Sequence, residues 1–226
     1  MNIVVTGATG ALGAGLVEVL LERGATLHLP IVEPALPAHL SWRTDSRVHA
    51  VPSVSLGDEA QVAAFYGALP ALWASIHLVG GFAMAPVAAT SLADFEKQWR
   101  LNTVTCFLAC REAVVAIRKT GGGGRIVNVA ARPAQVPTPG MLAYAVAKAG
   151  VAAITQTLAA EVLADDILVN AVLPSTIDTP ANRAAMPKAD HAVWPKPAQI
   201  AQTIAFLASA ENALTTGTLV PVYGRA

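Results

Sequence analysis

The sequence predicts an α/β fold, a single domain built on a doubly wound parallel sheet with helices on both faces. Three observations support this prediction. Short apolar segments alternate along the chain with longer segments of helical periodicity. The apolar segments are hydrophobic on both faces, which is typical of parallel strands covered by helices. The 226 residues also contain no internal repeat, low-complexity tract or linker, so one domain is expected.

Each element is justified by its local pattern, taken in chain order. Seven short apolar segments bounded by turn-forming residues are predicted to be strands, at residues 2–6, 26–31, 48–54, 75–80, 125–130, 167–173 and 218–222. Five segments are predicted to be helices, at residues 11–23, 58–69, 94–119, 142–163 and 198–210. The helix at 94–119 is amphipathic and is followed by four consecutive glycines, whereas residues 32–46, with two prolines, are predicted to form a loop.

Composition excludes several classes of protein. Hydrophobic residues make up 54% of the chain, which excludes the disordered class. Fifteen lysines and arginines balance fifteen aspartates and glutamates, and no basic block is present. We therefore expect no nucleic-acid partner, because binding through phosphate contacts requires a positive surface.

Secretion and membrane insertion are also disfavoured. The first residues have no basic region, and their hydrophobic run is too short for a signal peptide. The longest charge-free stretch, residues 60–93, is interrupted by glycines and prolines, so a cytoplasmic location without a membrane partner is expected. Cys106 and Cys110 share one face of a predicted helix and make no disulfide framework. They are interpreted as small buried residues, with a redox pair or half of a metal site as alternatives.

A glycine-rich segment follows the first predicted strand. Residues 6–15 read TGATGALGAG and lead into the first helix. Glycine lets the backbone approach a pyrophosphate closely, and the amino terminus of the helix presents N–H groups to that anion. At this position the segment predicts a dinucleotide-binding Rossmann fold. The absence of a Gly-Lys-Ser/Thr ending argues against an ATPase.

The sequence leaves open whether the dinucleotide is NAD or NADP, with a slight preference for NAD. The dinucleotide fingerprint usually has an acidic residue at the end of the second strand, but here the first acidic residue is Glu33. Glu33 reaches the adenosine ribose only if the following loop folds back; otherwise it is a solvated loop carboxylate. The glycine loop has no basic residue for a 2′-phosphate, and Arg43 and Arg47 are remote.

Tyr144 and Lys148 are one turn apart on a predicted helix and share one face. A nearby ammonium favours the phenolate and lowers the pKa of a tyrosine from about 10. We therefore expect this pair to serve in acid–base chemistry at neutral pH.

Together these motifs resemble the short-chain dehydrogenase/reductase family over nearly the whole chain. The match includes the glycine loop, Tyr144 with Lys148, Asn102, and the segment PSTIDT at residues 174–179. The resemblance implies that Tyr144 donates the proton, Lys148 binds the ribose hydroxyls and Asn102 holds a water in the proton relay. It implies coenzyme contacts from Gly7, Thr9, Ala11, Leu12, Gly13, Ser55, Leu56, Gly80, Gly81, Tyr144, Lys148, Pro174, Ile177 and Thr179.

Two positions depart from the family pattern. The Asn-Asn-Ala-Gly that follows the family's fourth strand is VGGF here, at residues 79–82. The family's serine, which donates a hydrogen bond to the substrate oxygen, is Ala131. Loss of such a donor typically slows a reaction by about 10²–10³-fold. An ordinary ketone reductase would therefore need a replacement hydroxyl, from Thr138 or Thr176.

The same departures resemble the dihydropteridine reductase branch, whose members reduce a quinonoid dihydropterin without the serine. The resemblance extends through residues 178–194. A delocalised C=N acceptor takes up hydride without forming a localised alkoxide, so the missing hydroxyl costs less. The candidate substrate-pocket residues are Phe82, Ala131, Arg132, Met141, Thr176, Met186 and Trp194. Arg132 is interpreted either as a cation beside the pocket or as a surface arginine.

We therefore expect an NAD(P)H-dependent oxidoreductase that transfers hydride to a small conjugated C=N or C=O acceptor. Residues 1–90 would form the cofactor half, and residues 91–226 the catalytic half, with a mobile lid at 175–194. The alternatives are an ordinary ketone or aldehyde reductase, and a catalytically impaired dinucleotide-binding redox sensor or scaffold. The low charge and long helices, which resemble those of the family's dimer interface, predict a homodimer or homotetramer. No metal is expected.

Overall fold

The computed structural model describes residues 1–226 and contains the predicted parallel sheet. Its strands are β1 (Asn2–Thr6), β2 (Thr26–Pro30), β3 (Val48–Val51), β4 (Ala74–His77), β5 (Gly124–Val129), β6 (Ile167–Pro174) and β7 (Leu219–Val222). They are arranged in the order β3-β2-β1-β4-β5-β6-β7, and every neighbouring pair is parallel. The doubly wound α/β fold is therefore confirmed.

Helices cover both faces of this sheet. They are α1 (Ala11–Glu22), α2 (Glu59–Gly67), α3 (Leu92–Trp99), α4 (Thr105–Arg118), α5 (Leu142–Glu161), α6 (Pro180–Ala185) and α7 (Pro197–Leu207). Helices α1 and α7 pack against each other over one core cluster of 24 buried residues. Helices α2, α4 and α5 lie over a second cluster of 24 buried residues. The sequence predicted all of these helices except α6, and the loop at 32–46 is confirmed.

The prediction of one continuous helix at residues 94–119 is wrong, because the structure has two helices there. A π-helical turn, Arg100–Val104, separates α3 from α4. Helix α3 also begins earlier than predicted, since the hydroxyl of Ser91 accepts a hydrogen bond from the N–H of Asp94 (3.1 Å). A π turn lies within a helix and keeps the chain helical, so the sequence analysis took the segment as one continuous helix.

The fourth strand is shorter than predicted and ends at His77 rather than at residue 80. The N–H of Leu78 still bonds to the hydroxyl of Thr6 in the neighbouring strand (3.1 Å). Beyond it the chain leaves the sheet, because the N–H of Gly81 bonds to the side chain of Asn102 (3.1 Å) instead of to a strand. Residues 79–82 therefore form a loop at the carboxyl edge of the sheet.

The strand order reverses at β1 and β4, and this point positions the ligand crevice. From β1 the chain adds strands in one direction, and from β4 it adds them in the other. Gly7, just after β1, has a φ of +69°, and a Cβ there would lie 3.1 Å from the backbone nitrogen of Val79. The glycine loop and the loop after β4 are thus in direct contact.

Helix α5 is long and apolar enough to cross a membrane if length and hydropathy alone are considered. This is weak evidence, because a core helix meets the same criterion. In the structure, α5 packs against β6 and carries the buried Lys148.

Gly13→Ala tests the close packing of the glycine loop. An added Cβ would lie 2.2 Å from the carbonyl oxygen of Gly7 and 2.6 Å from the Cα of Ala8. We expect the substitution to lower the free energy of unfolding by about 3 kcal/mol or more, since overpacking a well-packed core typically costs about 1–3 kcal/mol and the atoms met here belong to the backbone, which cannot move aside as a side chain can. Urea unfolding followed by circular dichroism measures the change.

The matched control is Gly67→Ala, where an added Cβ meets nothing within 4 Å. That variant should gain about 0.4–1 kcal/mol from the reduced entropy of the unfolded chain. Equal urea midpoints for the two variants would contradict the proposed packing.

Candidate active site

A cavity of about 610 Å³ opens at the carboxyl ends of β1 and β2. It brings together Gly7 and Thr9 of the glycine loop with Ser55 and Leu56, all of which the sequence predicted as coenzyme contacts. Its size suits a ligand of a few hundred daltons. Helix α3 adds Glu96 and Lys97 to its lining and the π turn adds Arg100, which sequence reasoning missed because only the fold brings this segment to the glycine loop.

The amino terminus of α1 is arranged to bind an anion. Gly10 occupies the N-cap position, no side chain caps the first turn, and no acidic residue lies in that turn. Its first N–H groups therefore remain available to a phosphate. Of the other predicted contacts, Ala11 is exposed at this end, Gly13 packs against the loop, and Leu12 packs on the core.

Glu33 folds back onto the glycine loop. The hydroxyl of Thr9 donates a hydrogen bond to Oε1 of Glu33 (2.8 Å). The other carboxylate oxygen, Oε2, is buried and has no partner in the chain. A buried acceptor without a partner is costly, so this oxygen fits a hydroxyl donor of a bound nucleotide. Arg47 is instead paired with Asp45 (2.7 Å), and Arg43 is exposed.

Tyr144 and Lys148 lie one turn apart on α5, as predicted. The ammonium nitrogen of Lys148 donates to the carbonyl oxygen of Val129 (2.8 Å) and lies 6.0 Å from the centre of the Tyr144 ring. Burial lowers the pKa of Lys148 to about 8 and raises the pKa of Tyr144 to about 12. The predicted lowering of the tyrosine pKa is therefore wrong for this state of the chain, because desolvation outweighs the neighbouring ammonium.

Asn102 fastens the loop after β4 to the π turn. Its Nδ2 donates to the carbonyl oxygens of Gly81 (3.0 Å) and Gln98 (3.0 Å), and its Oδ1 accepts from the N–H of Gly81 (3.1 Å). A Cβ on Gly80 would lie 2.5 Å from the Oδ1 of Asn102 and 3.1 Å from the Nζ of Lys148. A side chain at position 80 would therefore collide with the Asn102 amide and approach the Lys148 ammonium.

Two of the predicted substrate-pocket residues, Phe82 and Ala131, lie on the loops that follow β4 and β5. The ring of Phe82 packs edge-on against Tyr144, with 5.0 Å between ring centres, although Phe82 is largely exposed. Ala131 is buried just beyond β5 and offers no hydrogen-bond donor from its side chain. Met141 is half-buried at the amino terminus of α5. The large cavity does not extend to Tyr144 or Lys148.

The predicted lid, residues 175–194, contains the short helix α6. The hydroxyl of Thr179 accepts from the N–H of Asn182 (3.2 Å) and caps this helix, while the carbonyl oxygen of Ile177 accepts from the Asn182 side chain (2.8 Å). An ion pair between Asp178 and Arg183 (2.5 Å) holds the same turn. Contacts of Pro174, Ile177 and Thr179 with a coenzyme, and the mobility of the lid, stay predictions.

The remaining pocket candidates are engaged elsewhere in the chain. Trp194 is buried and packs against His191, whose Nε2 bonds to the carbonyl oxygen of Met186 (2.9 Å). The guanidinium of Arg132 lies over the ring of Tyr223 (5.1 Å), which supports its interpretation as a surface arginine. Thr176 is half-buried.

The fold and this cluster define a class of protein. A cavity at the switch point of a doubly wound sheet, together with a Tyr-Lys pair on α5 and an asparagine in the π turn, is the arrangement of an NAD(P)-dependent oxidoreductase. A family model described as "Enoyl-(Acyl carrier protein) reductase" matches residues 7–224. The chain belongs to the short-chain dehydrogenase/reductase family.

Curated relatives and a solved structure agree with this assignment. The 3-beta-hydroxysteroid dehydrogenase of Comamonas testosteroni is 29% identical over 235 residues, covering 94% of this chain and 90% of that protein. The cis-4-hydroxycyclohexanecarboxylate dehydrogenase of Sinomonas cyclohexanicum is 30% identical over 235 residues, covering 98% and 94%. The structure of ElxO with NADP bound has a TM-score of 0.89 at 20% identity, covering 99% and 97%, and so shares the fold.

Lys148→Met tests the energetic cost of the buried ammonium. The unfolded-state pKa of lysine is about 10.4, whereas burial lowers the folded-state pKa of Lys148 to about 8. The unfolded state therefore binds more protons between these values, and stability rises with pH across that window. At pH 7 the variant should be more stable by about 1–3 kcal/mol, because the charged form no longer has to be desolvated.

Urea unfolding at several pH values measures this effect, with Lys97→Met as the exposed control. The control should leave stability and its pH dependence nearly unchanged. A Lys148→Met variant that is less stable than the parent at pH 7 would show that the ammonium is net stabilising.

Proposed function

We propose that this chain reduces a small conjugated C=N or C=O acceptor with NADH, with Tyr144 as the proton donor. The observation that carries the proposal is the position of the Tyr144 phenol on α5, one turn from the buried Lys148 and in edge contact with Phe82 of the loop after β4. A protonated phenol is the form that a reduction needs, since it must give a proton to the substrate. The bound nicotinamide coenzyme would supply the hydride.

The buried Ala131 favours a delocalised acceptor. With no hydroxyl at this position, charge that develops on a single substrate oxygen has one donor fewer. A conjugated acceptor spreads that charge and depends less on the missing donor. Together with the resemblance of residues 80–82 to the dihydropteridine reductase branch, this supports a quinonoid dihydropterin as the acceptor.

A second candidate is an ordinary ketone or alcohol substrate, which the names of the two curated relatives favour. It requires another hydroxyl in place of the serine. The hydroxyl of Thr138 is directed to the carbonyl oxygen of Val136 (3.2 Å), so Thr176 is the better candidate for that role.

We also propose NAD rather than NADP as the coenzyme. The carboxylate of Glu33 lines the cavity and keeps one buried oxygen without a partner. Such an oxygen accepts hydrogen bonds from ribose hydroxyls and repels a 2′-phosphate. Lys148, whose ammonium donates to the carbonyl oxygen of Val129, would bind the second ribose, and Asn102 would orient the loop beside it.

Tyr144→Phe tests the proton donor. We expect kcat/KM for the best acceptor to fall by about 10²–10⁴-fold, because the general acid is lost. The dissociation constant of NADH should change little, since the ring and its packing against Phe82 remain. Stopped-flow oxidation of NADH with quinonoid dihydropterin and with a panel of ketones gives the rates, and fluorescence titration gives the affinity.

Tyr223→Phe is the matched control, because Tyr223 contacts Arg132 and not the Tyr144 pair. Retained turnover in Tyr144→Phe would refute the role of the phenol.

Ala131→Ser separates the two substrate classes. If the acceptor is delocalised, the added serine should raise kcat/KM for dihydropterin only slightly. A parent enzyme that turns over ketones rapidly, with no benefit from the added serine, would favour the second candidate.

Glu33→Gln tests the coenzyme choice. We expect NADH to bind about 10- to 100-fold more weakly, since hydrogen bonds to a charged acceptor contribute about 1.5–3 kcal/mol. NADPH should bind relatively better, because a negative charge beside its phosphate is removed. Glu22→Gln on the exposed surface of α1 is the control. Unchanged affinities for both coenzymes would place the ribose elsewhere.

A further inference from the structure

We propose that His77, Cys106 and Cys110 form a buried zinc site between the sheet and α4. This site lies outside the coenzyme cavity and is independent of the function proposed above. His77 is the last residue of β4, and the two cysteines lie on adjacent turns of α4. The Nδ1 or Nε2 of His77 and both sulfurs lie within 4.8 Å of one another, and all three residues are buried.

The distances among the donors fit tetrahedral zinc. Cys106 Sγ and Cys110 Sγ are 4.0 Å apart, and Cys110 Sγ is 3.5 Å from His77 Nδ1. With Zn–S near 2.3 Å and Zn–N near 2.0 Å, a tetrahedron has S···S edges of about 3.8 Å and S···N edges of about 3.5 Å. Two of the three donor pairs are therefore already spaced to within a few tenths of an ångström of the geometry that zinc requires, and the third pair, Cys106 and His77, lies within 4.8 Å.

A fourth candidate ligand, the side-chain oxygen of Asn128, lies next to these three. The Oδ1 of Asn128 lies 2.8 Å from His77 Nδ1 and 3.4 Å from Cys110 Sγ. The amide nitrogen of Asn128 donates to the hydroxyl of Thr155 (2.9 Å), so the oxygen is the end that faces the cluster. On binding, the hydrogen bond between His77 and Asn128 would be exchanged for bonds to the metal.

The surroundings of His77 suit a metal ligand. A histidine that binds zinc through Nδ1 donates its other N–H to a neighbouring group. Here Nε2 lies 2.8 Å from the hydroxyl of Ser75, which is itself 2.8 Å from the hydroxyl of Tyr66. Either hydroxyl of this pair can be the donor, so the chain of hydrogen bonds can reverse when Nε2 carries the proton.

Charge balance allows a divalent ion in this buried cluster. Two thiolates neutralise Zn²⁺, and each thiol releases a proton on binding, so the buried site carries no net charge. A disulfide would require the sulfurs to approach from 4.0 Å to a bond of about 2.05 Å. It would also require an oxidant, which zinc binding does not.

Metal analysis of tag-free protein tests the proposal. The protein is refolded from urea with zinc sulfate, desalted, and analysed by mass spectrometry of the metal. We expect one zinc ion per chain, bound during folding. Refolding with Co²⁺ should give the near-ultraviolet absorption of cobalt–thiolate bonds in the parent protein, which identifies sulfur ligands without any variant.

Variants locate the ion. Cys110→Ser and His77→Gln should bind zinc at least about tenfold more weakly. Ser75→Ala should bind it about 10- to 100-fold more weakly, which is the usual effect of removing the hydrogen-bond partner of a metal ligand. His49→Gln, on the exposed end of β3, is the matched control and should retain the full metal content. Cobalt–thiolate absorption in the parent protein would support the site even if a variant fails to fold.

Three outcomes would overturn the proposal. The first is a parent protein that refolds with zinc and contains none, with both thiols free to react after unfolding. The second is zinc that persists when Cys106 and Cys110 are both replaced by serine, which would mark a surface site. The third is cobalt bound without thiolate absorption.

Discussion

The site depends on the side-chain amide of Asn102. It bonds to both backbone groups of Gly81 and so fastens the loop after β4 to the π turn. The same nitrogen bonds to the carbonyl oxygen of Gln98 one turn earlier. Since a Cβ at Gly80 would collide with this amide and approach Lys148, the glycine is a consequence of that bond. A π turn redirects a side chain without ending the helix, which explains why such turns occur at functional sites.

The burial of ionisable groups in this site lowers the stability of the folded chain. Burial disfavours the charged forms of both Tyr144 and Lys148, raising the pKa of the phenol to about 12 and lowering that of the ammonium to about 8. The carbonyl oxygen of Val129 offsets part of the cost of the ammonium. Perturbed groups of this kind mark functional sites, where stability is given up for chemistry. The tyrosine is protonated at neutral pH, which is the form in which it can give a proton to a substrate.

Local patterns predicted the fold and the main site residues, whereas non-local contacts decided the rest. The glycine loop and the pair of Tyr144 and Lys148 have fixed spacings in the sequence, so their element and face were predictable. The contact of Glu33 with Thr9 depends on the path of a loop, and the π turn at Asn102 lies inside a segment that stays helical. The direction of the tyrosine pKa shift was mispredicted because burial, unlike spacing, cannot be read from neighbours in the sequence.

The cysteine–histidine cluster and the candidate active site are held by the same two elements, β4 and the helix that contains Asn102. His77 ends β4 just before the loop that Asn102 holds, and Cys106 lies one turn beyond Asn102 on the continuing helix. An ion bound to both elements would fix the separation of β4 and α4, and therefore the position of that loop. Because binding to the folded state adds to its stability, metal content and the order of the coenzyme site should vary together.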